Sequence, residues 1–114
     1  MAKAEMEFPD SAVGFKWQAA PDSPRGIEEK ILSRDPETGD CTRLVRFPAG
    51  FRGREVLTHT FWEEVYILEG SFHDATLERT FLPGSYACRP PGMRHGPYEC
   101  PAGCLACAIR YSKK

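Results

Sequence analysis

The sequence lacks the features that mark export, membrane insertion or nucleic-acid binding. No apolar run approaches the roughly 20 residues of a membrane-spanning helix. The segment from Met1 to Asp10 carries three acidic residues and no apolar signal core. The formal net charge is −1, and no basic run extends beyond the last two lysines. We therefore expect a cytoplasmic protein that binds neither membranes nor nucleic acid.

Cysteine occurs in a number that argues against a disulfide framework. The chain has five cysteines, and an odd count without an export signal indicates free thiols. Cys100, Cys104 and Cys107 follow a C-x3-C-x2-C pattern, whereas structural zinc sites usually use two close pairs. We interpret these three thiols as packing residues, with a metal role as the alternative.

Helical periodicity is also missing, and short apolar or alternating runs separated by turn signals take its place. One example is the hairpin connection over residues 35–40, which contains Asp35, Pro36 and Gly39. Roughly eight to ten such runs follow one another, a pattern typical of a β-sandwich or barrel. We predict an all-β fold with one barrel over residues 26–114. An arm over residues 1–25 precedes it, with one short strand near Phe15–Trp17.

Three side chains stand out as potential metal ligands: His59, Glu63 and His95. His59 and Glu63 flank a three-residue break between two strand-like runs, so a tight reversal would bring both side chains to one face. His95 follows the stiff turn Pro90-Pro91-Gly92, which fixes the position of its imidazole. Imidazole combined with carboxylate suits Fe, Mn, Ni or Zn.

Around these residues the chain resembles the cupin family. The first cupin motif has His-x-His, then Glu, then six further residues and a glycine. Here Leu57-Thr58-His59 is followed by Glu63 and Gly70 in register, with Leu57 in place of the first histidine. The second motif matches from Gly84 through Pro90-Pro91-Gly92 to His95, with Glu99 in place of a final asparagine.

The flanking residues resemble one branch of the family. Segments 31–35, 44–46 and 63–70 are similar to the cupin-like domain of zinc-binding anti-sigma factors, and small diketone-cleaving dioxygenases look similar as well. The resemblance covers residues 26–110. It implies a double-stranded β-helix, or jelly-roll barrel, in a small single domain, with one divalent metal ion held by His59, Glu63 and His95.

The missing histidine affects what this metal site would do. Two histidines and one carboxylate have the composition of the facial triad of non-haem Fe(II) oxygenases, which leaves coordination positions open. We therefore favour Fe(II), with Zn, Mn or Ni as alternatives. The opposing hypothesis is a decayed site that holds no metal. His73 is a further candidate for the missing ligand, although a lone histidine on a strand is more often structural.

Other residues bear on what the pocket would bind. We predict that Leu57, Tyr86 and Cys88 contact a substrate, with Leu57 making its side of the pocket apolar. Arg43 shares a strand face with Val45 and Phe47. A buried arginine needs a charged partner, and it would favour an acidic substrate.

The resemblance implies a metal-dependent enzyme, most simply a dioxygenase-like oxidoreductase that acts on a small diketone-like molecule, with a lyase as a close variant. The alternative is a non-catalytic barrel, either a metal or ligand sensor or a degenerate fold. We expect a homodimer and a small-molecule substrate or ligand as the partner.

Overall fold

The computed structural model describes residues 3–21 and 23–112, and this part of the chain forms ten strands and no helix. It accordingly includes no helix that could span a membrane. The predicted all-β fold is confirmed. The strands are β1 (Gln18–Ala19), β2 (Glu28–Arg34), β3 (Cys41–Phe47), β4 (Phe51–Arg52), β5 (Trp62–Gly70), β6 (Phe72–Asp74), β7 (Arg79–Phe81), β8 (Tyr86–Arg89), β9 (Tyr98–Cys100) and β10 (Cys104–Tyr111).

The strands form two antiparallel sheets that enclose one core. The larger sheet has the order β1-β2-β3-β10-β5-β8, and the smaller has the order β4-β9-β6-β7. The last strand, β10, lies between β3 and β5 in the larger sheet. Neighbouring strands are therefore mostly distant in sequence, as in a jelly roll. This topology is what brings the two histidine-bearing segments to one end of the barrel.

The core follows from period-2 alternation along the strands. Cys41, Arg43 and Val45 of β3 are buried, while the side chains between them are more exposed. The aromatic ring of Phe47, farther along the same strand, lies 5.3 Å from the rings of both Phe51 and Phe72. Arg43 therefore shares the buried face with Val45, and it places a charge inside the barrel.

A glycine closes the connection between β5 and β6. Gly70 has a φ of +82°, and a Cβ at this position would lie 2.1 Å from the carbonyl oxygen of Gly103. Only glycine accommodates both the left-handed backbone and the close approach. This packing is the physical reason for the glycine at the end of the first motif.

The N-terminal arm joins the larger sheet slightly later than predicted. The strand expected near Phe15–Trp17 lies at Gln18–Ala19 and pairs with the start of β2. Trp17 instead packs against the guanidinium of Arg46, which lies 3.9 Å from the indole centroid. The proposed division into an arm over residues 1–25 and a barrel over residues 26–114 remains a prediction. Residues 1–2 and 22 of the arm and 113–114 of the barrel lie outside the described residues.

Candidate metal centre

Backbone hydrogen bonds join the two segments that carry the histidines. The N–H of Leu57 donates to the carbonyl of His95 at 2.6 Å, and the N–H of His95 donates back at 2.9 Å. The N–H of Gly92 donates to the carbonyl of His59 at 2.8 Å. The stiff turn of the second motif is therefore attached directly to the first motif, which fixes the relative positions of the two imidazoles.

His59, Glu63 and His95 converge on one point. One ligand atom from each lies within 4.8 Å of the others. His59 Nε2 is 3.9 Å from Glu63 Oε1, and the two imidazole centroids are 5.0 Å apart. Glu63 projects from β5 and His95 from the loop before β9, and both are about 95% buried, with relative exposures of 5% and 4%.

The donor set fits a divalent metal ion. Three ligand atoms that each lie about 2.0–2.2 Å from one ion are about 3–4 Å apart, so the triad, whose ligand atoms lie within 4.8 Å of one another, would contract around a bound ion. His95 Nε2 is buried and has no hydrogen-bond partner among the described residues. A buried nitrogen without a partner is costly unless something binds to it, and a metal ion would satisfy it.

Burial keeps both imidazoles in the neutral form that metal binding requires. Loss of hydration lowers the pKa of His95 to about 4, and the charge of Arg89 adds to this effect. Burial also lowers the pKa of His59, and the nearby Glu63 carboxylate only partly opposes it. Both rings are therefore free to offer a lone pair at neutral pH.

Tyr98 holds the ring of His95 in place. Its phenol oxygen forms a hydrogen bond with His95 Nδ1, which leaves Nε2 directed into the barrel. A second support lies behind the loop, where the Asp74 carboxylate accepts a bond from the N–H of Gly96 at 3.1 Å. Hydrogen-bonding groups that lie behind a histidine ligand orient its ring in metal sites.

Charged side chains form a row across the inner face of the larger sheet. In the strand register Glu63 lies opposite Arg110 of β10 and Arg89 of β8. Arg43 donates to Glu63 at 3.2 Å and to Glu29 at 2.8 Å. The nearest nitrogens of Arg89 and Arg110 lie 3.7 and 3.9 Å from the Glu63 carboxylate. Glu63 is therefore an ion-pair partner as well as a candidate ligand.

The triad opens into a cavity of about 260 Å³. Polar and charged groups gather near the triad, and most of the remaining wall is apolar. The size and lining suit a small organic molecule. The apolar wall includes Leu57, Val65, Ile67, Phe72, Ala106 and Ala108, and the N-terminal arm contributes Pro21, Ser23 and Pro24.

Of the three residues predicted to contact a substrate, only Leu57 lines this cavity. Tyr86 and Cys88 lie outside it, and their contact with a substrate remains a prediction. Alternation along β8 turns both side chains to the exposed face, where Tyr86 is 59% exposed and hydrogen-bonds Glu64. The inward side of the same strand presents Arg89 instead.

The remaining candidates lie away from the triad. His73 Nδ1 is 2.9 Å from the hydroxyl of Thr80, so His73 does not replace the missing ligand. Cys100 and Cys104 are buried thiols in contact with each other, and this contact lowers the pKa of Cys104. Within the described residues the three-cysteine motif forms no metal-binding group, because Cys107 lies on the opposite face of β10.

Two residues of the site were missed in the sequence. Arg110 continues the inward alternation of Ala106 and Ala108, so period-2 counting along the last strand could have found it. Tyr98 was not among the residues predicted for the site. Its position three residues after His95 was the available signal, but it gives no direction for the hydroxyl. Arg110 reaches the site because β10 lies beside β5, and Tyr98 reaches it because β9 lies beside β6.

The comparisons with known proteins agree with this architecture. The family model of the ChrR cupin-like domain matches residues 11–112. An RmlC-like cupin from Shewanella frigidimarina is 22% identical, with a TM-score of 0.72, and the match covers 100% of this chain and 97% of that one. None of the curated proteins compared with the chain matches it significantly.

Two further solved structures share the fold at low identity. An acetylacetone dioxygenase from Acinetobacter johnsonii is 22% identical, with a TM-score of 0.68, over 96% of this chain and 74% of that one. A chain of the complex of SigE with the anti-sigma factor ChrR from Rhodobacter sphaeroides is 21% identical, with a TM-score of 0.66. The match covers 87% of this chain but only about half, 51%, of that one.

Proposed function

The chain belongs to the ChrR cupin-like domain family, and from this premise we propose that it is a metal-dependent enzyme acting on a small molecule. His59, Glu63 and His95 would hold one divalent ion. The observation that carries the proposal is the convergence of their ligand atoms within 4.8 Å at the base of a largely apolar cavity. Neutral imidazoles and the unpartnered Nε2 of His95 support it.

Each part of the site has a role in this proposal. A bound Fe(II) would supply open coordination positions and dioxygen chemistry. Leu57 and Val65 would pack against the carbon skeleton of the substrate and exclude water from the triad. Tyr98 would keep the His95 imidazole in a fixed orientation. Glu63 would be held in position by Arg43, which is anchored by Glu29 in turn.

A dioxygenase-like reaction on a diketone-like substrate is the specific form of the proposal. The acetylacetone dioxygenase with the same fold supports this choice. We expect the Fe(II)-loaded protein to consume oxygen with a β-diketone such as acetylacetone, measured with an oxygen electrode. Glu63→Gln should lower the rate at least about 100-fold, since it removes a ligand charge.

The neighbouring carboxylate provides a matched control. Glu64 lies on the outer face of β5 and is hydrogen-bonded to Tyr86, so Glu64→Gln should leave oxygen uptake unchanged. A loaded protein that consumes no oxygen with a panel of diketones would rule out the dioxygenase reaction. A rate equally reduced in both variants would argue against a role for Glu63 in the site.

A second candidate function is a non-catalytic, ligand-binding cupin. The specific observation in its favour is that the Glu63 carboxylate already has Arg43 at 3.2 Å and two further guanidiniums within 4.0 Å. In this form the barrel binds a small molecule without turnover. Metal binding without oxygen uptake, combined with saturable ligand binding, would support it.

A change at Tyr98 tests the orientation of His95. Because Tyr98→Phe removes the hydroxyl that fixes the imidazole, metal affinity should fall about 10- to 100-fold. Competition titration with a chromophoric zinc chelator measures this change. Tyr86→Phe removes a hydroxyl from the exposed face and should bind zinc as the parent does. Equal affinity in the parent and Tyr98→Phe proteins would exclude a positioning role.

Homodimer formation also remains a proposal. Tyr66 of β5 lies opposite Tyr86 of the edge strand β8, and the two are 46% and 59% exposed. Together with Leu68 they form an exposed apolar face beside an open strand edge. Light scattering of the purified protein should give twice the mass of one chain.

A further inference from the structure

The cavity that contains the triad is lined by more positive than negative side chains. Among the described residues, Arg43, Arg89 and Arg110 line it together with one acidic residue, Glu63. Glu29 balances Arg43 from the side of β2, with an Nη1–Oε1 distance of 2.8 Å. One guanidinium charge inside the cavity therefore has no carboxylate of its own, and a divalent metal ion would add two more positive charges.

The hydrogen bonds identify which guanidiniums are available to bind an anionic ligand. Arg43 is bound on both sides, to Glu29 and to Glu63, and is 94% buried, with 6% relative exposure. Arg89 and Arg110 reach Glu63 only at 3.7 and 3.9 Å, beyond hydrogen-bond length.

Arg110 is the less satisfied of these two. Its Nε is buried without a hydrogen-bond partner among the described residues, and its guanidinium lies 4.4 Å from the ring centroid of Phe61. The guanidinium of Arg89 lies over the Tyr98 ring, 5.6 Å from its centroid. Asp74, another buried carboxylate, is occupied by the backbone N–H groups of Thr76 and Leu77. Within the part of the lining that the structure describes, Glu63 is the one carboxylate close to Arg89 and Arg110.

The strand register suits a planar anion. Arg110 and Arg89 lie opposite Glu63 from its two sides, so their donors flank the position of the triad. Guanidiniums bind carboxylates through two parallel hydrogen bonds, and such charge-assisted bonds are among the strongest. The apolar wall opposite them would accept a short carbon skeleton, which a bare inorganic anion does not have.

We propose that Arg89 and Arg110 bind the carboxylate of a small oxo acid, so that the diketone-like substrate which this cavity prefers is one that carries a carboxylate. The inference rests on the proposed function only in placing ligand and metal in the same cavity. The carboxylate contacts use arginines that are not members of the triad, and they can be measured without metal.

The test compares an acid with its neutral ester. Calorimetric titration of the chelator-treated full chain with acetoacetate should give one saturable site, and methyl acetoacetate should bind at least about 10-fold more weakly. Arg110→Met and Arg89→Met should each weaken acetoacetate at least about 10-fold, with little change for the ester. Arg52→Met is the control, because this arginine lies outside the cavity and its side chain is 75% exposed.

Conservative variants keep the result interpretable if a methionine variant unfolds. Arg110→Lys and Arg89→Lys preserve the charge but lose the two-pronged geometry, so they should bind acetoacetate with intermediate affinity. Equal affinity for acid and ester in the parent protein would overturn the proposal. Inorganic phosphate binding as tightly as acetoacetate would overturn the carboxylate assignment, and unchanged binding in both arginine variants would overturn their role.

Metal titration of the same samples separates the two proposals. Acetoacetate binding that depends on Arg89 and Arg110, in a protein that takes up no zinc or Fe(II), would refute the metal enzyme and leave the carboxylate site standing. Zinc binding at one equivalent per chain, with no preference for the acid over the ester, would refute the carboxylate site and leave the metal site standing.

Discussion

Replacing Arg43 with methionine should lower the free energy of unfolding by about 3–5 kcal/mol, the cost of removing one partner from a buried ion pair. Glu29, Arg43 and Glu63 are 4%, 6% and 5% exposed. Without the guanidinium, two buried carboxylates would lose their hydrogen-bonded cation. Urea denaturation of the metal-free protein measures the change.

Two further variants show whether the loss of stability in Arg43→Met comes from the burial of its ion pairs. Arg46 is on the same strand, but its pair with Glu28 is exposed, with both side chains 44% accessible, so Arg46→Met should cost less than about 1 kcal/mol. Adding Glu29→Gln to Arg43→Met should recover part of the loss, because it removes one of the unpaired charges. An Arg43→Met protein as stable as Arg46→Met would show that the charged row does not stabilise the barrel.

The second large effect concerns metal affinity. His95→Ala removes the most deeply buried imidazole of the triad, and metal affinity should fall by more than about 100-fold, since second-shell changes alone cost 10- to 100-fold. The parent protein, purified without chelator, should contain about one metal ion per chain by elemental analysis. Anaerobic calorimetry with Fe(II) or zinc would then give the affinity of each variant.

His73 is the matched control for this experiment. It lies on strand β6, where it is hydrogen-bonded to Thr80, and it is not part of the triad. His73→Ala should therefore retain the parent stoichiometry and affinity. If both histidine variants bind metal as the parent does, the ion is held elsewhere; if neither the parent nor His73→Ala binds metal, the site is a degenerate one.

The sequence was sufficient for the fold and for the triad, because both depend on local signals. Turn residues and alternation define the strands, and the spacing from His59 to Glu63 and from Gly84 to His95 is in register with the cupin motifs. The final glycine of the first motif, Gly70, has a steric reason in its close approach to Gly103. Such features need no knowledge of which strands are neighbours.

The parts that were missed depend on the pairing of distant strands. Arg110 reaches Glu63 only because β10 lies beside β5, and no local pattern gives that neighbour. The direction of Tyr86 and Cys88 was equally hard to predict. A shift of one residue along a strand exchanges the two faces, and the more buried side chains of β8 are those of Ala87 and Arg89.

Leu57 shows how a lost ligand changes the expected chemistry without removing the site. Its backbone still pairs with His95 in the way that joins the two motifs. Its side chain lines the cavity and packs against the core. The substitution therefore keeps the loop geometry, replaces one ligand with apolar wall, and leaves Glu63 with neighbouring arginines as the electrostatic centre of the cavity.

The central claim is that His59, Glu63 and His95 bind one divalent ion at a common point. Anomalous diffraction from crystals grown with zinc or manganese tests it directly. We predict one anomalous peak per chain, about 2.0–2.2 Å from the two imidazole nitrogens and a Glu63 oxygen. Density showing no peak there, with the Glu63 carboxylate still paired to Arg43 and Arg89, would contradict the account.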